Sequence, residues 1–270
     1  GLGDVYKRQF QDRAVKVVLT IGGSDSCSGA GIQADLKTFA AHGLYGISTV
    51  TAVTAQSPSR ITATHIIPAE IITTQIDTVF DDIAITGVKT GMLGKCDAVN
   101  SVASALNERG LLTVIDPVIQ SSSGTALLED NAVEDLKNKL FPQASVVTPN
   151  KAEAEQLSGV TIRTLSDTKT AARRIRNFGP SAVIITGGHY NPTGDTVVDV
   201  VHDGHDCFEI PNRRVSLDSN EQTHGTGCIY SSALLAQLVI GHTIIDAAQA
   251  AQRFISTELT RRLNLSLIHI

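Results

Sequence analysis

The chain has 270 residues, of which 42% are apolar and 18% charged, with 22 glycines. That length fits one large α/β domain or two small ones, and the sparse charge and many glycines argue against disorder. The net charge is −5 and no Lys/Arg run marks a phosphate-tracking face, which sets nucleic acid aside as a partner.

Val15 to Ile21 (VKVVLTI) is a nearly continuous apolar run, the pattern of a strand buried on both faces. The glycine-rich segment Gly22–Gly31 follows, and a helix is predicted from Ile32 to Ala41. Strand-like runs at Ile47–Val53, Ile83–Val88, Leu112–Ile115, Ser145–Val147 and Ala182–Thr186 alternate with segments of helical period. Within Asp97–Arg109, Val99, Val102, Ala103 and Leu106 form one apolar stripe, and Ala171, Ile175 and Phe178 form another further on. This alternation predicts an α/β protein with a mostly parallel sheet covered by helices on both faces. Thr196–Val201 and Cys207–Ile210 flank His202–His205 as a hairpin, and helices from about Thr226 and Ile244 close the chain. With no linker-like segment, a single domain over residues 10–264 is expected.

Cys27, Cys96, Cys207 and Cys228 show neither CxxC spacing nor paired histidine ligands. Neither a zinc site nor a disulfide frame is expected, and a cytoplasmic setting is. The most apolar stretch, Ala233–Ile245, is interrupted by Gln237, Gly241 and His242 and is too short to span a bilayer. No signal peptide is visible, and no membrane partner is expected.

The two ends look foreign. Asp4–Gln9 reads DVYKRQ and Leu265–Ile270 reads LSLIHI. One codon choice for the first, GAT GTG TAT AAG AGA CAG, has a reverse complement that translates as the second. Residues 1–9 and 265–270 are therefore expected to be translated adapter DNA of the kind transposase library preparation leaves, and are set apart from the fold.

In such a sheet, ligands sit beyond the carboxyl ends of the strands. The segments predicted there are Gly22–Gly31, Thr54–Arg60, Lys89–Lys95, Asp116–Thr125, Thr148–Glu153 and Thr186–Gly194. The strongest chemical signal is Thr223–Cys228 (THGTGC), directly ahead of the apolar helix Ile229–Leu238. Amides at a helix start carry partial positive charge, and Gly225 and Gly227 let an anion approach them. Thr226 adds a hydroxyl, and the helix field is expected to favour the Cys228 thiolate, as base or nucleophile. The plainer reading is a tight turn and an inert core thiol.

Gly29 and Gly31 have no third glycine three residues on, so the first loop is not a dinucleotide fingerprint. Asp35, one turn past Gly31, either reaches back over that loop or faces solvent at a helix start. Asp116 ends a central strand. Asn150 and Glu153 lie three residues apart past another strand; with Asp116 they suit Mg²⁺ and phosphate, or else they form a capping box. His42, His65, His189, His202, His205 and His242 fit no ligand spacing, and only His224 falls near chemistry.

Taken together, GSDSCSGAGIQADLKTF (Gly23–Phe39), TAVTAQ (Thr51–Gln56), KTGML (Lys89–Leu93), DPV (Asp116–Val118), TPNKAE (Thr148–Glu153), GGH (Gly187–His189) and THGTGC resemble the ribokinase-like family of small-molecule kinases. Within it they resemble the hydroxymethylpyrimidine/phosphomethylpyrimidine kinases of thiamine biosynthesis. The resemblance implies a three-layer α/β/α fold. It also implies transfer of the ATP γ-phosphate to the hydroxymethyl oxygen of 4-amino-5-hydroxymethyl-2-methylpyrimidine, then to the resulting monophosphate, in a homodimer. By the same resemblance Ala30, Asp35, Gln56, Met92 and Val118 line the pyrimidine pocket. Gly225, Thr226, Gly227 and Cys228 form the anion hole and catalytic centre, with Cys228 where most relatives have an aspartate. Asn150, Glu153, Thr186 and Thr226 hold the nucleotide, and Asp116 and Glu153 hold Mg²⁺.

Three departures from the family pattern stand out. Thr186 and Ser122 occupy positions where many relatives carry lysine, which leaves Arg60, Lys89 and Lys95 as the cations available to compensate. Cys27 and Ser28 replace the usual serine and glycine. Three competing readings are a pyridoxal-type vitamin kinase, a pyrimidine-sensing module without catalysis, and a cysteine hydrolase built on Cys228 and His224.

Overall fold

The computed structural model describes residues 15–57, 60–107, 109–121, 124–187, 196–215 and 224–266. The unusual ends lie outside these residues, apart from the backbone of Leu265 and Ser266. Ser122, Gly188, His189 and Thr223 also lie outside them.

One nine-stranded sheet runs through these residues in the order β3-β2-β1-β4-β5-β6-β7-β8-β9. The strands are β1 (Val17–Asp25), β2 (Tyr45–Ser57), β3 (Arg60–Ile66), β4 (Ile85–Thr90), β5 (Leu112–Ile115), β6 (Val146–Val147), β7 (Ala182–Ile185), β8 (Thr196–His202) and β9 (Cys207–Arg213). From β2 through β7 every pairing is parallel, while β3 at one edge and β8 and β9 at the other are antiparallel. The parallel core follows from the apolar runs read in the sequence.

Eight α-helices follow in chain order among the described residues: α1 (Gly31–Ala41), α2 (Ala69–Asp82), α3 (Cys96–Leu106), α4 (Asp130–Asp135), α5 (Lys151–Ser158), α6 (Leu165–Arg176), α7 (Thr226–Ile240) and α8 (Ile244–Ser266). They form two layers. On one face of the sheet, α2 to α6 bury Ile72, Val99, Val102, Leu157 and Ile175 against Leu19, Val88, Ile115 and Val147. On the other, α1, α7 and α8 bury Phe39, Leu234, Leu235 and Ala248 against Val18, Val114, Val146 and Ile184. Successive residues of one strand, such as Val114 and Ile115, enter opposite cores, as strand alternation requires. The result is the three-layer α/β/α arrangement expected.

The segment Thr54–Arg60, expected as a loop, is a correction. Strand β2 continues to Ser57 and pairs with β3, with Thr54 opposite Thr64 and Ser57 opposite Arg60. The β-branched residues of Arg60–Ile66 favour extended chain, and the exposure of most of them deprived the segment of the apolar run that marks a buried strand. Likewise β1 runs past Ile21 to Asp25, and Lys89 and Thr90 belong to β4 rather than to the loop after it.

Candidate active site

Strand β1 is flanked by β2 on one side and β4 on the other, so the direction of winding reverses between β1 and β4. Crevices of this kind open at the carboxyl ends of the strands. Asp25, Gln56, Asp116, Asn150 and Thr186 all stand at or just past such ends.

The first loop is organised by Asp25. Its Oδ1 accepts the Cys27 amide at 2.9 Å, and its Oδ2 accepts the amides of Gly29 at 3.1 Å and Ala30 at 2.8 Å. His224 Nε2 lies 3.0 Å from the same Oδ2. Burial pushes the Asp25 carboxyl up, but the contacts from His224, Ala30 and Cys27 prevail and hold it below the usual carboxylate range. This anchor was not singled out in the sequence, where it is one polar residue among GSDSCSG.

The loop presses on the start of α7. Gly225, the residue before that helix, has φ of 80° and no side chain; a Cβ there would fall 1.9 Å from Gly29 O. Only glycine satisfies both the left-handed backbone and that approach. Helical hydrogen bonding begins with the Ile229 amide donating to Gly225 O at 3.0 Å. The amides of Gly227 and Cys228 therefore open the helix, the arrangement that favours an anion.

Beneath this helix start is an ion pair. Lys89 Nζ lies 3.0 Å from both Asp35 oxygens, with side-chain exposures of 1% each. Thr20 Oγ1 donates to Asp35 Oδ2 at 2.6 Å and Ser232 Oγ to Oδ1 at 2.8 Å. Burial would discharge Lys89, but Asp35, with Cys228 and Asp116 adding to it, holds the ammonium above the usual lysine range. The structure thus corrects two sequence expectations. Asp35 does not face solvent: it is buried and its oxygens accept from Thr20, Lys89 and Ser232. Lys89 is committed to Asp35 and is not available to replace the lysines absent at residues 122 and 186.

Asp116 follows β5, and a Cβ on Gly227 would fall 3.6 Å from its Oδ2. Ser231 Oγ donates to the same oxygen at 3.3 Å. Burial is the chief cause that raises Asp116 to about 6, with Lys89 opposing and Asp35 adding. Glu153 is pushed up to about 8 by burial and by the charge of Asp116. Its oxygens accept the amides of Ile119 at 3.2 Å and Asn150 at 2.9 Å, and Asn150 Oδ1 accepts the Glu153 amide at 3.0 Å. The capping box is therefore real, and it holds one buried carboxylate near another. Two such groups, both raised by burial and Glu153 further by the charge of Asp116, make a donor set that fits a hard divalent cation.

Cys228 is half-buried and feels the charges of Lys89, Asp35 and Asp116. Burial pushes its thiol up to about 12; Lys89 lowers it, and Asp35 and Asp116 raise it further. Burial and the two carboxylates thus favour the thiol over the expected thiolate at the resting site.

The remaining residues frame the crevice. Gln56 Nε2 lies 3.1 Å from His224 Nε2, and its Oε1 accepts from Thr54 Oγ1 at 2.9 Å, so a ligand edge at this amide competes with both. Met92 packs on β1, with Sδ 3.1 Å from a Cβ position on Gly23. Ala30 caps α1, Val118 is half-buried just past Asp116, and Thr226 is half-buried at the head of α7. Thr186 bridges Asn150 at the end of β7, its amide donating to Pro149 O at 3.1 Å. Arg60 is exposed at the start of β3, and Lys95 lies 3.7 Å from Glu129.

A glycine-opened helix set over the carboxyl ends of a parallel sheet, beside paired carboxylates, is the build of an α/β/α small-molecule phosphotransferase. Comparison with known proteins makes this specific. The family model for phosphomethylpyrimidine kinase matches residues 25–269. The hydroxymethylpyrimidine/phosphomethylpyrimidine kinase of Bacillus subtilis is 40% identical over 252 residues, covering 93% of this chain and 92% of that one. The crystal structure of phosphomethylpyrimidine kinase from Clostridium difficile superposes with a TM-score of 0.78 at 36% identity, over 90% of this chain and 99% of that one. An ADP complex of Bacillus subtilis pyridoxal kinase gives 0.80 at 35% identity, over 89% and 90%. The chain belongs to the phosphomethylpyrimidine kinase family, phosphotransferases of the thiamine pathway.

Proposed function

We propose that this chain transfers the γ-phosphoryl group of ATP to the hydroxymethyl oxygen of 4-amino-5-hydroxymethyl-2-methylpyrimidine, and then to the monophosphate so formed. The observation that carries the reading is the opening of α7 at Gly227 beside Asp116, whose Oδ2 would lie 3.6 Å from a Cβ on that glycine. Phosphoryl transfer asks mainly for positioning and for neutralising charge that spreads over the phosphoryl oxygens. The head of α7 supplies donors for those oxygens. Asp116 and Glu153 are the residues to hold Mg²⁺, with water completing its shell; when bound, the ion offsets phosphate charge.

Asn150, Thr186 and Thr226 serve the nucleotide side. Ala30, Asp35, Gln56, Met92 and Val118 serve the pyrimidine side, Gln56 offering a donor and an acceptor to its aminopyrimidine edge. Asp35 is also paired with Lys89, and the two fix the floor near Cys228. In the transfer the alcohol oxygen forms the new P–O bond, the ADP oxygen departs with the electrons of the old one, and the alcohol proton is taken up by the Cys228 sulfur once ionised. Because that sulfur is a thiol at rest, the reading requires kcat to climb with pH on the alkaline side of neutrality. A single domain over residues 10–264, a homodimer, a cytoplasmic setting and no nucleic-acid partner complete the proposal.

Pyridoxal kinases are close relatives, and the same pocket could accept a pyridine alcohol. ADP release measured with the hydroxymethylpyrimidine, its monophosphate and pyridoxal in one preparation tests the assignment. Turnover of both pyrimidines above pyridoxal is expected. Pyridoxal alone as substrate, or ligand binding with no ADP release, would replace it with the vitamin-kinase or sensor reading.

A further inference from the structure

Asp25, Cys27 and His224 meet at the rim of the crevice, and nothing in the phosphotransfer scheme uses the sulfur. Cys27 Sγ lies 3.4 Å from Asp25 Oδ2, and His224 Nε2 lies 3.0 Å from that same oxygen. The three donor atoms fall within 4.8 Å of one another. A tetrahedral ion with bonds of about 2.3 Å to sulfur and about 2.0–2.1 Å to nitrogen and oxygen spaces its ligands roughly 3.3–3.6 Å apart. The donors stand close to that spacing already.

We propose that Asp25, Cys27 and His224 form a second metal site, selective for a thiophilic divalent ion such as Zn²⁺ and distinct from the carboxylates offered to Mg²⁺. Donor chemistry separates the two. Thiolate and imidazole favour zinc, whereas Asp116 and Glu153 present only oxygen. Sequence spacing hid the site because Cys27 and His224 belong to opposite ends of the chain and no CxxC or HxxxH pattern joins them.

The step balances without redox chemistry. Cys27 exchanges its S–H bond for a sulfur–metal bond and its proton goes to solvent. His224 carries its hydrogen on Nδ1 and turns the Nε2 lone pair to the ion, and Asp25 gives one carboxylate oxygen. The amides of Gly29 and Ala30 stay on that oxygen as outer partners. Three protein donors leave a fourth position for water. Since His224 also touches Gln56, an ion here pins the first loop to the head of α7 and draws His224 from Gln56.

Co²⁺ added alone to the metal-free full chain tests this by absorption. The expected result is a cobalt–thiolate charge-transfer band that saturates at a single equivalent, is abolished by excess Zn²⁺, and is lost in Cys27→Ser. The band survives in Cys207→Ser and Cys228→Ser. Competition with a chromophoric chelator should show Zn²⁺ affinity falling by at least about 10–100-fold in Cys27→Ser, and His224→Gln should weaken it as well. No thiolate band in the unaltered chain, a band retained in Cys27→Ser, or one lost only in Cys228→Ser would each overturn the site.

Discussion

Two carboxylate clusters lie near the head of α7, and they are neutralised to different degrees. Asp35 is neutralised by Lys89 and saturated by Thr20 and Ser232, so nothing remains for a ligand to satisfy. Asp116 and Glu153 are both raised by burial, and the charge of Asp116 raises Glu153 further, so the pair gains from a cation. Burial is alike in both; Lys89 bonds Asp35 directly but reaches Asp116 only through its charge. One cluster is complete within the chain, and the other is completed from outside. Cys228 sits between them and feels both.

The largest effect should come from breaking the closed cluster. Lys89→Met leaves Asp35 buried and unpaired, and we expect a loss of about 3–5 kcal/mol in urea unfolding, largely recovered in Asp35→Leu/Lys89→Met. A loss below about 1 kcal/mol would mean that water reaches Asp35 and that the cluster is not closed. Next is the sulfur between the clusters. Cys228→Ser should lower kcat by about 10²-fold with little change in KM, the signature of an interaction made in the transition state. Equal effects on both parameters would reduce Cys228 to a binding contact.

Asp199 isolates burial from neighbouring charge. It accepts the Gly187 amide at 2.8 Å and is raised to about 6 by burial, with hydrogen bonds opposing. The folded carboxyl binds its proton more tightly than the unfolded one. Its contribution to stability is therefore full below about pH 4 and is lost as pH rises through about 6. Unfolding midpoints from pH 4.5 to 7 should fall less steeply in Asp199→Asn than in the parent; parallel slopes would show that Asp199 stays solvated. The smallest effect belongs to the open cluster's scaffold. Asn150→Ala removes one arm of the capping box, and we expect about 1 kcal/mol of stability lost with a rise in the nucleotide KM. An unchanged KM would leave Asn150 a cap alone.

The fold was legible where burial writes a simple pattern. Runs such as VKVVLTI and LTVI are apolar throughout because parallel strands between two helix layers have no solvated face. Strand β3 was not, since its outer face alternates polar residues with apolar ones on an exposed edge. At the site, the glycines ahead of α7 were readable because a close backbone approach demands them. The Asn150–Glu153 box was readable because it is local. The Asp35–Lys89 pair was not, because the partners sit on different elements and neither type predicts a buried ion pair. Asp25 was missed for the same reason: its value depends on His224, which only the tertiary fold brings near. The thiolate expected at Cys228 failed because a helix start was weighed without the carboxylates beside it.

Gly225 rests against Gly29 with no room for even a methyl group. The two segments are remote in the gene yet interlocked in space, so they must be inherited as a matched pair. A chimera that borrows the first loop from a relative while keeping this chain's final third, or the reverse, will fit only when both surfaces come from the same parent.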